Sequence, residues 1–161
     1  MKKGIAAFAA AVAVVLAGCA TNPIPEGYTG PRAYIRDTGM SETGSRAVMF
    51  WVNEVDGKQI KTSPGETAAK NQGRGFSMSP VFIGRDVPAK PLTLKLIGSR
   101  VFAAPILALT NPSYRIEGTV NFEPKDGKIY EVRGEVSEKY SAVWLVDAGT
   151  GEAVTAKLLK K

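Results

Sequence analysis

The chain of 161 residues reads as all-β: an antiparallel β-sandwich of seven to nine short strands over residues 32–161, behind a leader and a flexible tether. Three observations carry that reading. Apolar residues recur with a period of two instead of 3.6, Asp-Gly and Gly-rich turns separate the runs, and 44% hydrophobic against 22% charged residues is enough apolar material for a core. The length fits one ordinary domain.

Residues 1–18 form the leader. Met1-Lys2-Lys3 is basic, residues 5–17 are an unbroken apolar run, and Leu16-Ala17-Gly18-Cys19 closes it. Thirteen residues at about 1.5 Å rise give roughly 20 Å of helix, short of the ~30 Å hydrocarbon core that a permanent span must cross. Small Ala17 and Gly18 just before a cysteine fit a narrow protease subsite. The tetrapeptide resembles the lipobox of bacterial lipoproteins. That resemblance implies cleavage before Cys19, a thioether-linked diacylglycerol on its sulfur and an acyl chain, such as palmitate, on the freed amine. Several acyl chains, at ~0.8 kcal/mol per buried CH₂, hold a protein on a bilayer where one chain does so only marginally. Ala20 stands where the enterobacterial pattern for inner-membrane retention has Asp, so the resemblance implies the periplasmic face of the outer membrane.

Residues 19–31 carry Cys19 and then a run with three Pro, two Gly and no apolar period. This reads as a tether, able to lift the domain by up to roughly 40 Å at ~3.3–3.6 Å per extended residue.

The domain follows as strands. Ala47-Val48-Met49-Phe50-Trp51-Val52 is apolar on both sides, which places it centrally with one face on the core and the other covered. Asp56-Gly57 then predicts a hairpin turn, since Asp-Gly tolerates the positive φ of a type I′ turn. Residues 62–75 are polar and small, a long loop with a turn of helix at residues 66–70. Leu92-Thr93-Leu94-Lys95-Leu96 alternates, and so does Tyr114 to Phe122, interrupted only by Gly118. Asp126-Gly127 predicts a second hairpin, joining that strand to the one bearing Tyr130, Val132 and Val136. Ala142-Val143-Trp144-Leu145-Val146 is again apolar on both sides. A turn at Thr150-Gly151 leads into a short strand over residues 153–156, and Lys157, Lys160 and Lys161 read as a solvated tail.

One stretch breaks the pattern. Residues 101–109 are apolar throughout, contain Pro105 and are followed by Asn111-Pro112, so no normal central strand fits them. Two readings remain open. One is a buried crossover or edge strand on the core. The other is an exposed patch of Val101, Phe102, Ile106, Leu107 and Leu109 for a partner or a membrane.

The search for catalytic chemistry is negative. With no His there is no Ser-His-Asp or Cys-His pair and no His-ligated metal. No Ser has Lys three residues on, as a Ser-x-x-Lys nucleophile requires, and acylation would consume the single Cys. Gly73-Arg74-Gly75 lacks the rest of a phosphate loop, and no Asp-x-Asp cluster suggests calcium. Glu117 and Glu131 would face each other if the Asp126-Gly127 hairpin paired its strands, as a glycosidase would use them, although both also fit exposed pairs with nearby Lys and Arg. Tyr140 and Trp144 suggest either a binding platform or core packing. A net charge of +6, reduced to +4 without Lys2 and Lys3, is scattered and without aromatic interleaving, so no nucleic acid is expected.

The segments Val55-Asp56-Gly57-Lys58-Gln59-Ile60, Val87-Pro88-Ala89-Lys90-Pro91-Leu92-Thr93-Leu94, Gly127-Lys128-Ile129-Tyr130-Glu131-Val132 and Val143 to Gly151 resemble small bacterial lipoproteins with a transthyretin-like or carboxypeptidase-regulatory-like β-sandwich. The resemblance implies a non-catalytic envelope domain. The sequence therefore predicts a lipid-anchored binding or structural module with no cofactor beyond the covalent lipid, whose partners are the membrane and an envelope protein or glycan. The alternative is a carboxylate-dependent hydrolase of envelope glycan or peptidoglycan.

Overall fold

A computed structural model describes residues 20–160, so the lipobox-like Leu16-Ala17-Gly18-Cys19 lies outside the described residues. Those residues form β1 (Arg32–Arg36), β2 (Thr38–Thr43), β3 (Arg46–Val55), β4 (Lys58–Gln59), α1 (Ser63–Lys70), β5 (Gly84–Pro88), β6 (Leu92–Phe102), α2 (Pro105–Thr110), β7 (Arg115–Phe122), β8 (Ile129–Val136), β9 (Ser141–Asp147) and β10 (Leu158–Lys160). One sheet runs β10-β9-β8-β1-β5; the other runs β2-β3-β6-β7, with β4 beside β3. All pairings are antiparallel except β1 with β8. This is the predicted sandwich, with ten strands where seven to nine are expected; β4 and β10 are too short to show a period.

The alternating strands bury the residues their pattern singles out. Ile116, Val120 and Phe122 of β7, Leu92, Leu94 and Leu96 of β6, and Tyr130, Val132 and Val136 of β8 all enter one core between the sheets. The Phe50 ring fills this core where Gly98 and Gly134 leave room for it: a Cβ at Gly134 would lie 2.4 Å from that ring. The two-sided strand β3 turns Ala47, Met49 and Trp51 outward, where they form a second cluster with Met78 and Ile97. Above β3 lies the segment of α1 and the loop after it. Thr67 and Asn71 hold that segment by bonding Val81 and Ser79.

Asp56-Gly57 makes the expected tight turn, with φ of 50° and 73°. Asp126-Gly127 does not. β7 and β8 belong to different sheets, so residues 123–128 are a crossover between layers. There the Asp126 carboxylate accepts from Arg32 N at 3.1 Å, and Gly127 N donates to Arg32 O at 2.8 Å. The same dipeptide closes a hairpin at one place and receives the entering β1 at the other. Two more expectations fail near the C-terminus. Residues 153–156 contribute only the bridge of Ala153 to Val146, and the supposed tail forms β10, with Leu158 packed on the core. The tether is also seated. Thr21 bridges Ile60 in parallel, and its N–H and hydroxyl both donate to Gln59 O, at 2.8 and 2.9 Å.

A buried ion pair joins these parts. Asp37, between β1 and β2, accepts two bonds from Arg85 of β5, at 2.6 and 2.5 Å. It also accepts from Val52 N of β3 and from the amide and hydroxyl of Ser63, the first residue of α1. The Ser63 hydroxyl in turn accepts from Ile83 N. Asp37 is thus a buried node.

Asp37→Ala leaves a buried guanidinium and several backbone donors unpaired. The expected loss is about 3–5 kcal/mol in urea unfolding. A double variant, Asp37→Leu with Arg85→Met, should recover part of the loss and stay below wild type, because Val52 N and Ser63 remain unmatched. A second test uses Asp147, whose carboxyl is held below its ordinary range, first by Gly149 N–H and then by the Lys128 ammonium. A lowered native pKa stabilises above the unfolded value and ceases to do so as pH falls through the native one. Asp147→Asn should therefore be less stable than wild type at neutral pH, with the gap closing below about pH 4.

Candidate functional site

Sequence reasoning offers two candidate sites, the acids Glu117 and Glu131 and the apolar stretch 101–109. The acids do not come together. Because residues 123–128 cross between layers, Glu117 on β7 and Glu131 on β8 sit in different sheets. Each is occupied. Arg115 bonds Glu117 at 2.7 and 3.0 Å, and Glu131 takes Arg36 at 2.6 Å together with Arg133. A glycosidase general acid needs its pKa raised, whereas hydrogen bonding from Arg115 holds the Glu117 carboxyl below its ordinary range. The geometry on which carboxylate-dependent hydrolysis would rest is absent at this pair.

The apolar stretch divides in two. Val101 and Phe102 end β6, half-buried, with Phe102 paired to Arg46. β7 pairs β6 only as far as Ser99, β3 alone continues to Phe102, and the chain leaves the sheet after Ala103, whose N–H still donates to Ser45 O at 2.8 Å. Pro105 then starts α2, where its missing N–H is no loss. No residue of α2 is fully buried: Ile106 is 55% and Leu109 81% exposed, and Leu107 is half-buried. Residues 105–109 are thus neither an edge strand nor a buried crossover. Val101 and Phe102 also line a groove of about 420 Å³ with Met78, Ala68 and Gly75. Phe76, 62% exposed, lies in the same loop as Gly75 and Met78.

A charged clamp holds this end in place. Arg100 of β6 bonds both oxygens of Glu42 on β2, at 2.7 and 2.8 Å, and donates to Pro112 O at 3.0 Å. Its guanidinium lies 4.8 Å from the centre of the Tyr114 ring. The hydrogen bond to Glu42 raises the Arg100 pKa, although partial burial opposes it. Asn111 Nδ2 donates to Leu107 O at 2.8 Å and so satisfies one of the carbonyls left free at the end of the helix. Sequence reasoning missed Arg100, Glu42, Tyr114 and Asn111. Glu42 and Arg100 are 58 residues apart, and no local pattern marks either.

The remaining candidates are structural. Trp51 is buried in the second cluster, and Trp144 is half-buried with the Lys157 ammonium 4.2 Å from its ring centre, so it does not offer an open platform with Tyr140. Arg74, between its two glycines, bonds Asn71 and Ser79. Leu16, Ala17, Gly18 and Cys19 lie outside the described residues. Among the described residues no three of His, Cys, Asp and Glu group as a metal site would require, and no helix is long and apolar enough to cross a membrane. Comparison with protein-family models, with curated proteins and with solved structures finds no match to this chain.

If the clamp alone holds α2 in place, Ile106→Ser and Leu109→Ser should change unfolding free energy by no more than about 0.5 kcal/mol. Arg100→Ala should cost about 1–3 kcal/mol, because the Glu42 carboxylate loses its bidentate partner. Amide exchange over residues 105–112 should then accelerate while the amides of β3 keep their protection.

Proposed function

We propose that this protein is a lipid-anchored lipoprotein on the periplasmic face of the bacterial outer membrane, acting as a non-catalytic binding or structural module of the envelope. The observation that carries this reading is the sequence Leu16-Ala17-Gly18-Cys19 at the end of a short apolar run, one residue before a segment seated on a β-sandwich. Two features support the non-catalytic part. The acids proposed for hydrolysis are apart and neutralised by arginines, and the turn-and-strand resemblance to transthyretin-like lipoprotein domains points the same way. Ala20 in place of Asp supports the outer membrane.

Within this reading, the exposed side chains of Ile106 and Leu109 are the natural contact for an envelope protein. Aliphatic groups on a short, unpartnered helix suit an apolar protein surface better than a hydroxyl-rich glycan.

Cys19→Ala should abolish acylation and cleavage of the leader. The expected result is a full-length chain of unmodified mass, lost from the outer-membrane fraction, as read by mass spectrometry of the N-terminal peptide and by density-gradient fractionation. Normal cleavage and outer-membrane retention of the variant would overturn the reading.

A further inference from the structure

We infer that the end of the sandwich carrying the Asp56-Gly57 turn rests on the bilayer surface, and that the α2 end is held away from it. The inference rests on the proposed acylation of Cys19 and adds to it an orientation that acylation alone does not impose. The chain leaves the described residues at Ala20, and Thr21 is already fixed by two bonds to Gln59 O. Successive Cα atoms are about 3.8 Å apart, so an acylated Cys19 has no free tether with which to reach further.

Strand register locates that end. Gln59 pairs with Glu54 at the close of β3, where Val55 meets Leu94 and Leu92 meets Phe122. The segments 56–57, 89–91 and 123–128 therefore gather at the anchored end. On or next to them Lys58, the first residue of β4, Lys90 and Lys125 are exposed and form no ion pair among the described residues. Asp56 and Asp126 give their carboxylates to the backbone N–H groups of Thr93 and Arg32; the exposed acids there are Glu123 and, in the turn after β9 that Ala148 N ties to Ile129 O, Glu152. Free ammoniums next to an acyl anchor suit an anionic headgroup surface. α2 follows Phe102, which pairs with Arg46 at the opposite end of β3, and eight steps of about 3.3 Å separate the two ends by roughly 26 Å.

The test uses the full-length acylated protein, purified from membranes and reconstituted in vesicles of phosphatidylethanolamine and phosphatidylglycerol. A fluorophore is placed on a single new cysteine in Lys58→Cys, Lys125→Cys or Leu109→Cys, since the acylated Cys19 sulfur does not react. With a quencher on the lipid headgroup, quenching should be several-fold greater at residues 58 and 125 than at 109. Thr21→Pro, which removes both bonds to Gln59 O at an exposed position, should still float with vesicles and should lose that contrast. Equal or reversed quenching in floating wild type overturns the orientation alone, and an unchanged contrast in Thr21→Pro overturns the seat as its cause. Failure of the wild-type protein to float overturns the acylation and the orientation with it.

Discussion

The buried pair of Asp37 and Arg85 is the constraint on which the arrangement depends. Asp37 stands at the one residue between β1 and β2, where the chain passes from one sheet to the other. A carboxylate there is tolerable only because every partner arrives together: Arg85 from β5, Val52 from β3 and Ser63 from the start of α1. The Ser63 hydroxyl passes the connection on to Ile83, at the entry to β5. One charge thus fixes the corner between the layers, the helix that covers Trp51, and the edge strand. Such a pair adds little net stability over apolar packing, but partial assembly leaves a buried charge unmatched, which disfavours any alternative pairing of these segments.

From that corner the strand directions follow, and they give the domain two chemically different ends. At one, Asp56 and Asp126 are held against backbone N–H groups while lysines and the carboxylates of Glu123 and Glu152 are exposed, and Thr21 is bonded to Gln59 nearby. At the other, β6 runs out past Ala103 and the chain returns through a short helix with its aliphatic side chains in solvent. Arg100 and Glu42 supply at this second end what Asp37 and Arg85 supply at the corner between the layers. The clamp is more exposed, and it orders a surface instead of a core.

The alternation in Tyr114 to Phe122, the two-sided run around Trp51 and the Asp56-Gly57 turn each yield their structure from the sequence because the information is local. A period of two specifies which side chains face inward, and a positive φ at two successive residues specifies a type I′ turn. The resemblance of Leu16-Ala17-Gly18-Cys19 to a lipobox is likewise read from four adjacent residues. Sequence fails where the partner is remote. Asp126-Gly127 has the same local chemistry as Asp56-Gly57, yet Arg32, 94 residues away by hydrogen bond to Asp126, determines that it receives a strand from the other layer. The tether and the tail look polar and irregular until Gln59 and β9 supply backbone partners. Nor can the sequence of residues 101–109 indicate burial, since hydrophobicity is the same for a core residue and an exposed one. What the sequence determined by itself was the class of fold and the inward face of most strands. Which strands share a sheet, which acids meet and which apolar residues remain in water were decided only by tertiary structure, because each depends on long-range pairing that no local period encodes.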